Sequence, residues 1–177
     1  MRIRPYIESK DYEYLEKWID NETLHAMWSA NRLPYPLTRE NLRILLEKNA
    51  EEFTDSAYVA TEDDGRPVGF FCYSVNTENN AGFLKFIVVD NGKRGMGYGG
   101  KMLRLALQYA FSITGAEVVR LCVFDNNEAT KHCYEKVGFV LEKSEKDAFP
   151  YHDEMWTRNR MMITKQNLLA KFTCRNC

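Results

Sequence analysis

No apolar run in this chain of 177 residues approaches the length of a membrane span, and its N-terminus, MRIRPYIESKDYEYLEKW, has no apolar stretch of signal-peptide length. That pattern predicts a soluble, cytoplasmic protein with no membrane partner. The chain also lacks an excess of either charge: 24 Lys+Arg stand against 25 Asp+Glu, a formal net charge of -1. Without a broad positive field a dedicated nucleic-acid binder is not expected. Histidine is scarce and scattered, with three residues in all. The five cysteines are an odd number, and Cys72, Cys122 and Cys133 fall in strand or helix patterns, so reduced thiols are expected. Cys174 and Cys177 form one C-x-x-C, and a single pair without histidines cannot supply four zinc ligands. No metal is expected.

What is present is an ordinary globular composition, 45% hydrophobic and 13% aromatic, in a chain long enough for one sizeable core. A single domain over residues 1–165 is expected, with 166–177 as an extension. IRPYI reads as a strand, and Tyr12, Leu15, Trp18 and Ile19 recur at helical spacing. Thr38 is a candidate N-cap for a helix reaching about Phe53, after an irregular loop SANRLPYPLT. SAYVATE and RPVGFFCYSV flank Asp63-Asp64-Gly65, a hairpin signal. GFLKFIVVD is a third β-type run, GKMLRLALQYAFSITG a helix, EVVRLCVFD a strand, NNEATKHCYEKVG a helix, and FVLEK with NRMMIT two closing strands. The fold class expected is α/β (α+β), with a mixed, mainly antiparallel sheet of about seven strands flanked by helices.

The junction between FIVV and the following helix contains NGKRGMGYGGK, in which three phosphate-binding patterns overlap. Gly95 through Lys101 fit most of a P-loop, but Met102 stands where a Ser or Thr hydroxyl should meet Mg²⁺. Gly95, Gly97 and Gly100 fit the dinucleotide fingerprint, yet the loop sits mid-chain after an antiparallel hairpin rather than after an opening strand. Asp125 closes the next strand, so a dinucleotide oxidoreductase is weakened but stays open. Arg94, Gly97 and Gly99 fit R-x-x-G-x-G. Glycines at a strand-to-helix junction expose N–H groups at a helix N-terminus, which is an anion site whichever pattern applies.

A second motif decides among them. NEATKHCYEKVGF, residues 127–139, has the form N-x-x-A-x-x-x-Y-x-x-x-G-F. Together with RGMGYGG it resembles the GCN5-related N-acetyltransferase superfamily, and the inferred order of strands and helices resembles it over most of the chain. The resemblance implies acetyl-CoA as co-substrate, no metal, and a primary amine of a small molecule or peptide as acceptor; a homodimer stays open. It implies that main-chain amides of Arg94, Gly95, Met96, Gly97, Tyr98 and Gly99 hold the pyrophosphate. It also implies that main-chain groups of Ile87, Val88 and Val89, in a splayed strand, pair with the pantetheine and receive the thioester carbonyl. Asn127 would bond the pantetheine arm, and Tyr134 would protonate the departing sulfur. Read without the family, Asn127 is a helix N-cap, Tyr134 a half-buried aromatic, and Ile87, Val88 and Val89 core.

The chain departs from the family pattern at the general base. Many relatives carry a glutamate in the strand before the glycine loop or in the one after it; here Cys122 stands where peptide N-terminal acetyltransferases of the family often carry it, and Phe83 and Lys85 lie in the earlier strand. Cys122 is expected to pack rather than react, and Asp90, Glu22, His25, His152 and Asp153 remain candidates for relaying a proton through water. The missing glutamate keeps a non-catalytic acetyl-CoA sensor open as the alternative. ETLHAMWSANRLPYPL and AFPYHDEMW are expected to wall the acceptor cleft. There Trp28, Tyr35, Tyr151 and Trp156 would offer aromatic surface, and Glu22, Asp153 and Glu154 negative charge.

Overall fold

Three helices follow the first strand, each begun by an identifiable signal. The computed structural model describes residues 1–168. Strand β1 (Arg2–Pro5) leads into α1 (Glu8–Trp18), whose entry is held by Asp11. That buried carboxylate takes both Arg4 nitrogens at 2.7 Å and the Ile7 N–H at 2.7 Å, so neither its charge nor the orphan donor at the helix start is left unpaired. Asn21 caps α2 (Glu22–Ser29) by accepting from the Leu24 N–H. This helix lies where the sequence pattern suggested no element, because its eight residues are too short for clear periodicity. Thr38 caps α3 (Arg39–Phe53) in a reciprocal capping box with Asn41, as its position predicts.

Strands β2 (Ser56–Thr61) and β3 (Pro67–Asn76) form the expected antiparallel hairpin, with Gly65 at φ +91° in the turn. β4 (Ala81–Val89) follows, then a 3₁₀ turn at Asn91–Lys93 and α4 (Tyr98–Ser112). The chain continues through β5 (Val118–Phe124), α5 (Glu128–Val137), β6 (Val140–Tyr151) and β7 (Glu154–Thr164). The sheet has seven strands in the order β1-β2-β3-β4-β5-β7-β6. It is mixed and mostly antiparallel: β4 and β5 run parallel over Ala81–Phe83 and Val118–Arg120, while β1–β2, β2–β3, β5–β7 and β6–β7 are antiparallel.

The chain divides into two compact units. The first comprises Met1–Ser74 with Lys85–Leu105, the second Val75–Leu84 with the described residues from Ala106 on. In the first unit Tyr12, Leu15, Trp18, Leu42 and Leu45 of α1 and α3 bury with Val59, Phe70 and Val88 of the sheet. Gly69 of β3 leaves room there for α4. A Cβ built on it would lie 2.6 Å from Met102 Sδ and 3.1 Å from Val88 O, so a side chain there would push Met102 aside and crowd the Val88 carbonyl. Met102, the residue that spoils the P-loop pattern, is thus a core side chain, 1% exposed. In the second unit Leu107, Ala110 and Phe111 of α4, Val119 and Leu121 of β5, Val137 of α5, and Met161 and Ile163 of β7 are buried.

Candidate active site

The glycine loop is built to present backbone. Gly95 and Gly97 adopt φ +75° and +81°, in the left-handed region that other residues enter only with strain, and a Cβ on either would point into open space. The first helical hydrogen bond of α4 runs from Lys101 N–H to Gly97 O at 3.1 Å. The N–H groups of Tyr98, Gly99 and Gly100 therefore precede the closed part of the helix and lie at its positive end. Gly99, expected to work like Gly97, differs from it: it belongs to the first helical turn and is not among the positive-φ residues.

Cations surround this turn. Arg94 is exposed and its Nη2 lies 3.4 Å from Trp18 O, while Lys93 and Lys101 stand over the Tyr98 ring at 5.1 and 5.5 Å. Glu62, just past β2, holds Tyr98 and Lys93 in place. It accepts from the Tyr98 hydroxyl at 2.5 Å and from Lys93 at 3.2 Å, and it pairs with Arg66. The Tyr98 hydroxyl first, then Arg66 and Lys93, hold its carboxyl well below the usual range, at about 2. The sequence carried no sign of this anchor, since Glu62 and Tyr98 are 36 residues apart.

The strand that feeds the loop is bent. Phe86, in the middle of β4, has φ +51°, an unusual conformation for an aromatic residue. Its carbonyl accepts a buried hydrogen bond from Trp28 Nε1–H at 2.8 Å. Further along, the Asp90 N–H donates to Val68 O of β3 at 3.0 Å. By alternation, main-chain groups of Val88 point toward β3 and those of Ile87 and Val89 toward the opposite edge. Val88 is buried, whereas Ile87 and Val89 are half-buried, so the expectation that all three are core holds fully for one of them.

Trp28 is not the aromatic surface it was expected to be. It is 7% exposed, packed against Phe70 and Phe86, because α2 turns it inward. His25, one turn earlier, is also buried; desolvation lowers its pKa, and its Nε2 has no hydrogen-bond partner among the described residues. Lys85 of β4 pairs with buried Asp55 at 2.6 Å. Asp90 uses its carboxylate on the Gly92 N–H. In the same unit burial pushes the Cys72 thiol well up, which keeps it neutral.

In the second unit Asn127 caps α5, its Oδ1 accepting from the Thr130 N–H at 3.3 Å. Tyr134 lies two turns on, 4% exposed, with its ring 5.9 Å from that of Phe139. Burial pushes its phenol up, and Cys133 and Cys122 oppose ionisation further. The phenol is therefore protonated throughout the neutral range. Cys122 is exposed rather than packed, because it sits on the open face of β5.

AFPYHDEMW forms the end of the β6–β7 hairpin, turning at His152 (φ +50°). The Tyr151 ring lies tilted against Trp156 at 4.3 Å, and Phe149 adjoins Trp156 at 5.5 Å. Trp156 is buried, with its Nε1–H donating to Glu154, so only Tyr151 and the exposed Asp153 and Glu154 supply the surface expected of this segment. Cys174 and Cys177 lie outside the described residues, as does most of the expected extension. Among the described residues no helix is long and apolar enough to cross a membrane.

The model of the Acetyltransferase (GNAT) family matches residues 12–139. The spermidine N(1)-acetyltransferase of Escherichia coli (strain K12) is 24% identical over 172 residues, 97% of this chain and 89% of that protein. An SPbeta prophage-derived N-acetyltransferase of Bacillus subtilis (strain 168), YokL, is 27% identical over 124 residues, 70% of this chain and 68% of that one. The crystal structure of the spermidine N-acetyltransferase from Vibrio cholerae in complex with CoA and spermine shares the fold. Its TM-score is 0.80 at 21% identity, over 94% of this chain and 96% of that one.

Proposed function

The chain belongs to the Acetyltransferase (GNAT) family and is an N-acetyltransferase, and on that premise we propose that it acetylates a primary amine of a spermidine-class polyamine by direct attack on acetyl-CoA in a ternary complex. The observation that carries this reading is the glycine loop: left-handed Gly95 and Gly97 opening onto the N–H groups at the start of α4, ringed by Lys93, Arg94 and Lys101. A pyrophosphate fits such a cradle by charge and by geometry.

In this reading the loop amides of Arg94–Gly99 bind the pyrophosphate, and main-chain groups of Ile87, Val88 and Val89 align the pantetheine. Asn127 bonds the pantetheine arm. The Ile87 N–H donates to the thioester oxygen as negative charge gathers there. The neutral amine forms its N–C bond, the C–S bond breaks with its electron pair on sulfur, and Tyr134 gives that sulfur its proton. The proton lost by the amine nitrogen returns to Tyr134 through solvent, so the site is restored.

The polyamine class rests on the relatives, whose names give spermidine or spermine as acceptor or ligand, and on surface chemistry. Glu22 in the first unit and Asp153 and Glu154 in the second are exposed acids, Tyr151 near the latter two in sequence is half-buried, and polyammonium ions favour acids and aromatic faces. The test is thiol release from acetyl-CoA with spermidine, spermine, monoamines and peptide N-termini in parallel. Turnover with polyamines above the others is expected; turnover confined to peptides overturns the acceptor class.

A further inference from the structure

The fixed point in the first unit that the reaction scheme leaves unused is the bond between Trp28 and the bent strand. Phe86 is the residue at which β4 leaves regular geometry, and its carbonyl is taken by an indole rather than by a neighbouring strand. The peptide that joins Phe86 to Ile87 is planar and trans. Its C=O and N–H therefore point in opposite directions, and whatever fixes the carbonyl also fixes the Ile87 N–H.

Building on the acetyl-transfer scheme above, we propose that Trp28 is a positioning residue: its indole N–H, by holding the Phe86 carbonyl, orients and polarises the Ile87 N–H as the donor to the thioester oxygen. Three observations converge. The bond is 2.8 Å and buried, so water does not compete for it. The ring is clamped by Phe70 and Phe86 at centroid distances of 6.3 and 5.4 Å, so the donor has little freedom to swing. The strand beyond the bend is registered by the Asp90 N–H on Val68 O, which sends the Ile87 main chain to the edge away from β3. A hydrogen bond accepted at a peptide oxygen also strengthens the N–H of that same peptide as a donor, so Trp28 acts on both direction and strength.

A second function follows for the strain at Phe86. An aromatic residue at positive φ persists only where its surroundings over-determine it, and Trp28 supplies both the hydrogen bond and one packing face. The bend and the indole form one device. α2 is the element that delivers it, capped by Asn21 and ended by Ala30 in the left-handed conformation.

The test uses the full-length protein and Trp28→Phe, which keeps an aromatic ring and deletes only the donor and part of the packing. With spermidine as acceptor, kcat is expected to fall ~10–100-fold, less than the ~10²–10³ for outright loss of an oxyanion donor, because the peptide remains but is misaimed. The acetyl-CoA Kd should stay within about 2-fold, whereas a purely structural role would raise KM along with any loss of kcat. Infrared spectroscopy of bound acetyl-CoA carrying ¹³C at the thioester carbonyl gives a second readout. The carbonyl stretch lies below its value in water in wild type and moves back toward it in the variant. A folded Trp28→Phe with wild-type kcat and wild-type stretch overturns the proposal. If wild type itself shows neither turnover nor a shifted carbonyl, the acetyl-transfer scheme fails and takes the proposal with it. Should the variant not fold, ¹⁵N-tryptophan-labelled wild type decides: the Trp28 indole resonance must differ between the CoA and acetyl-CoA complexes, and identical positions overturn the role.

Discussion

In the proposed scheme the glycine loop in the first unit and Tyr134 in the second handle the cofactor by opposite means. The loop offers backbone: Gly95 and Gly97 are exposed, hold left-handed conformations, and leave open space where a side chain would stand. Tyr134 offers one side-chain hydroxyl on a ring that is 4% exposed, with its proton affinity raised by burial. A backbone cradle tolerates water and gains affinity from many small dipoles, whereas a proton donor works through a single atom whose surroundings set its pKa. Mutations in the two regions should therefore fail differently, one in binding and the other in chemistry.

The largest expected effect is at Tyr134. Tyr134→Phe keeps the ring against Phe139 and removes the hydroxyl, so kcat should fall ~10²–10⁴-fold, with acetyl-CoA affinity and thermal stability close to wild type. Steady-state kinetics with spermidine, beside calorimetric binding of acetyl-CoA, measures both. A variant with near-wild-type kcat when chemistry limits turnover would remove the contrast, because the thiolate would then leave without this proton.

Next in size is the loop, where two substitutions separate conformation from approach. Gly97→Val places a β-branched residue at φ +81°, which costs ~1–3 kcal/mol in backbone strain and also puts a Cβ in the open space of the cradle. Acetyl-CoA binding should weaken by ~100-fold or more. Gly99→Val sits in the first turn of α4 and meets only the second obstacle, so ~10-fold weaker binding is expected with the fold intact, taking each tenfold as about 1.4 kcal/mol. Equal losses at the two sites would mean that the left-handed backbone of Gly97 contributes nothing of its own.

The smallest effect belongs to Glu62, which touches no ligand in the proposed scheme and only fastens Tyr98, Lys93 and Arg66. Glu62→Gln should lower the melting temperature by roughly 1–3 °C at neutral pH, as for a partly exposed ion cluster. The sign with pH follows from its depressed pKa of about 2. Its contribution is present above the unfolded value near ~4.3 and is lost as pH falls toward 2. The difference in melting temperature between wild type and Glu62→Gln should therefore shrink across that window, and a difference that grows on acidification would contradict the assignment.

The parts legible in the sequence were those in which chemistry follows from local order. The glycine spacing, the Thr38 and Asn127 caps, the Asp63-Asp64-Gly65 turn and the strand patterns needed no long-range information, since capping, left-handed turns and periodicity involve residues within a few positions of one another. α2 escaped because eight residues carry little periodicity, and the long β6–β7 hairpin was underestimated because the middle of β6, Glu142–Asp147, is an unbroken polar run. Trp28 and Trp156 were misassigned to the surface for one reason. An aromatic in a polar stretch reads as exposed until it is known which helix or strand turns it inward.

By itself, then, the sequence determined the order of the elements apart from α2 and the exposed-backbone character of the glycine loop, both consequences of short-range sterics and hydrogen bonding. Only the tertiary structure decided that Met102 packs on Gly69, that Lys85 is spent on Asp55, that Glu62 fastens Tyr98, and that the Trp28 indole holds the peptide before Ile87. Each of these joins residues more than 25 positions apart. Such contacts depend on how close packing brings distant side chains to one another, and no local propensity records that.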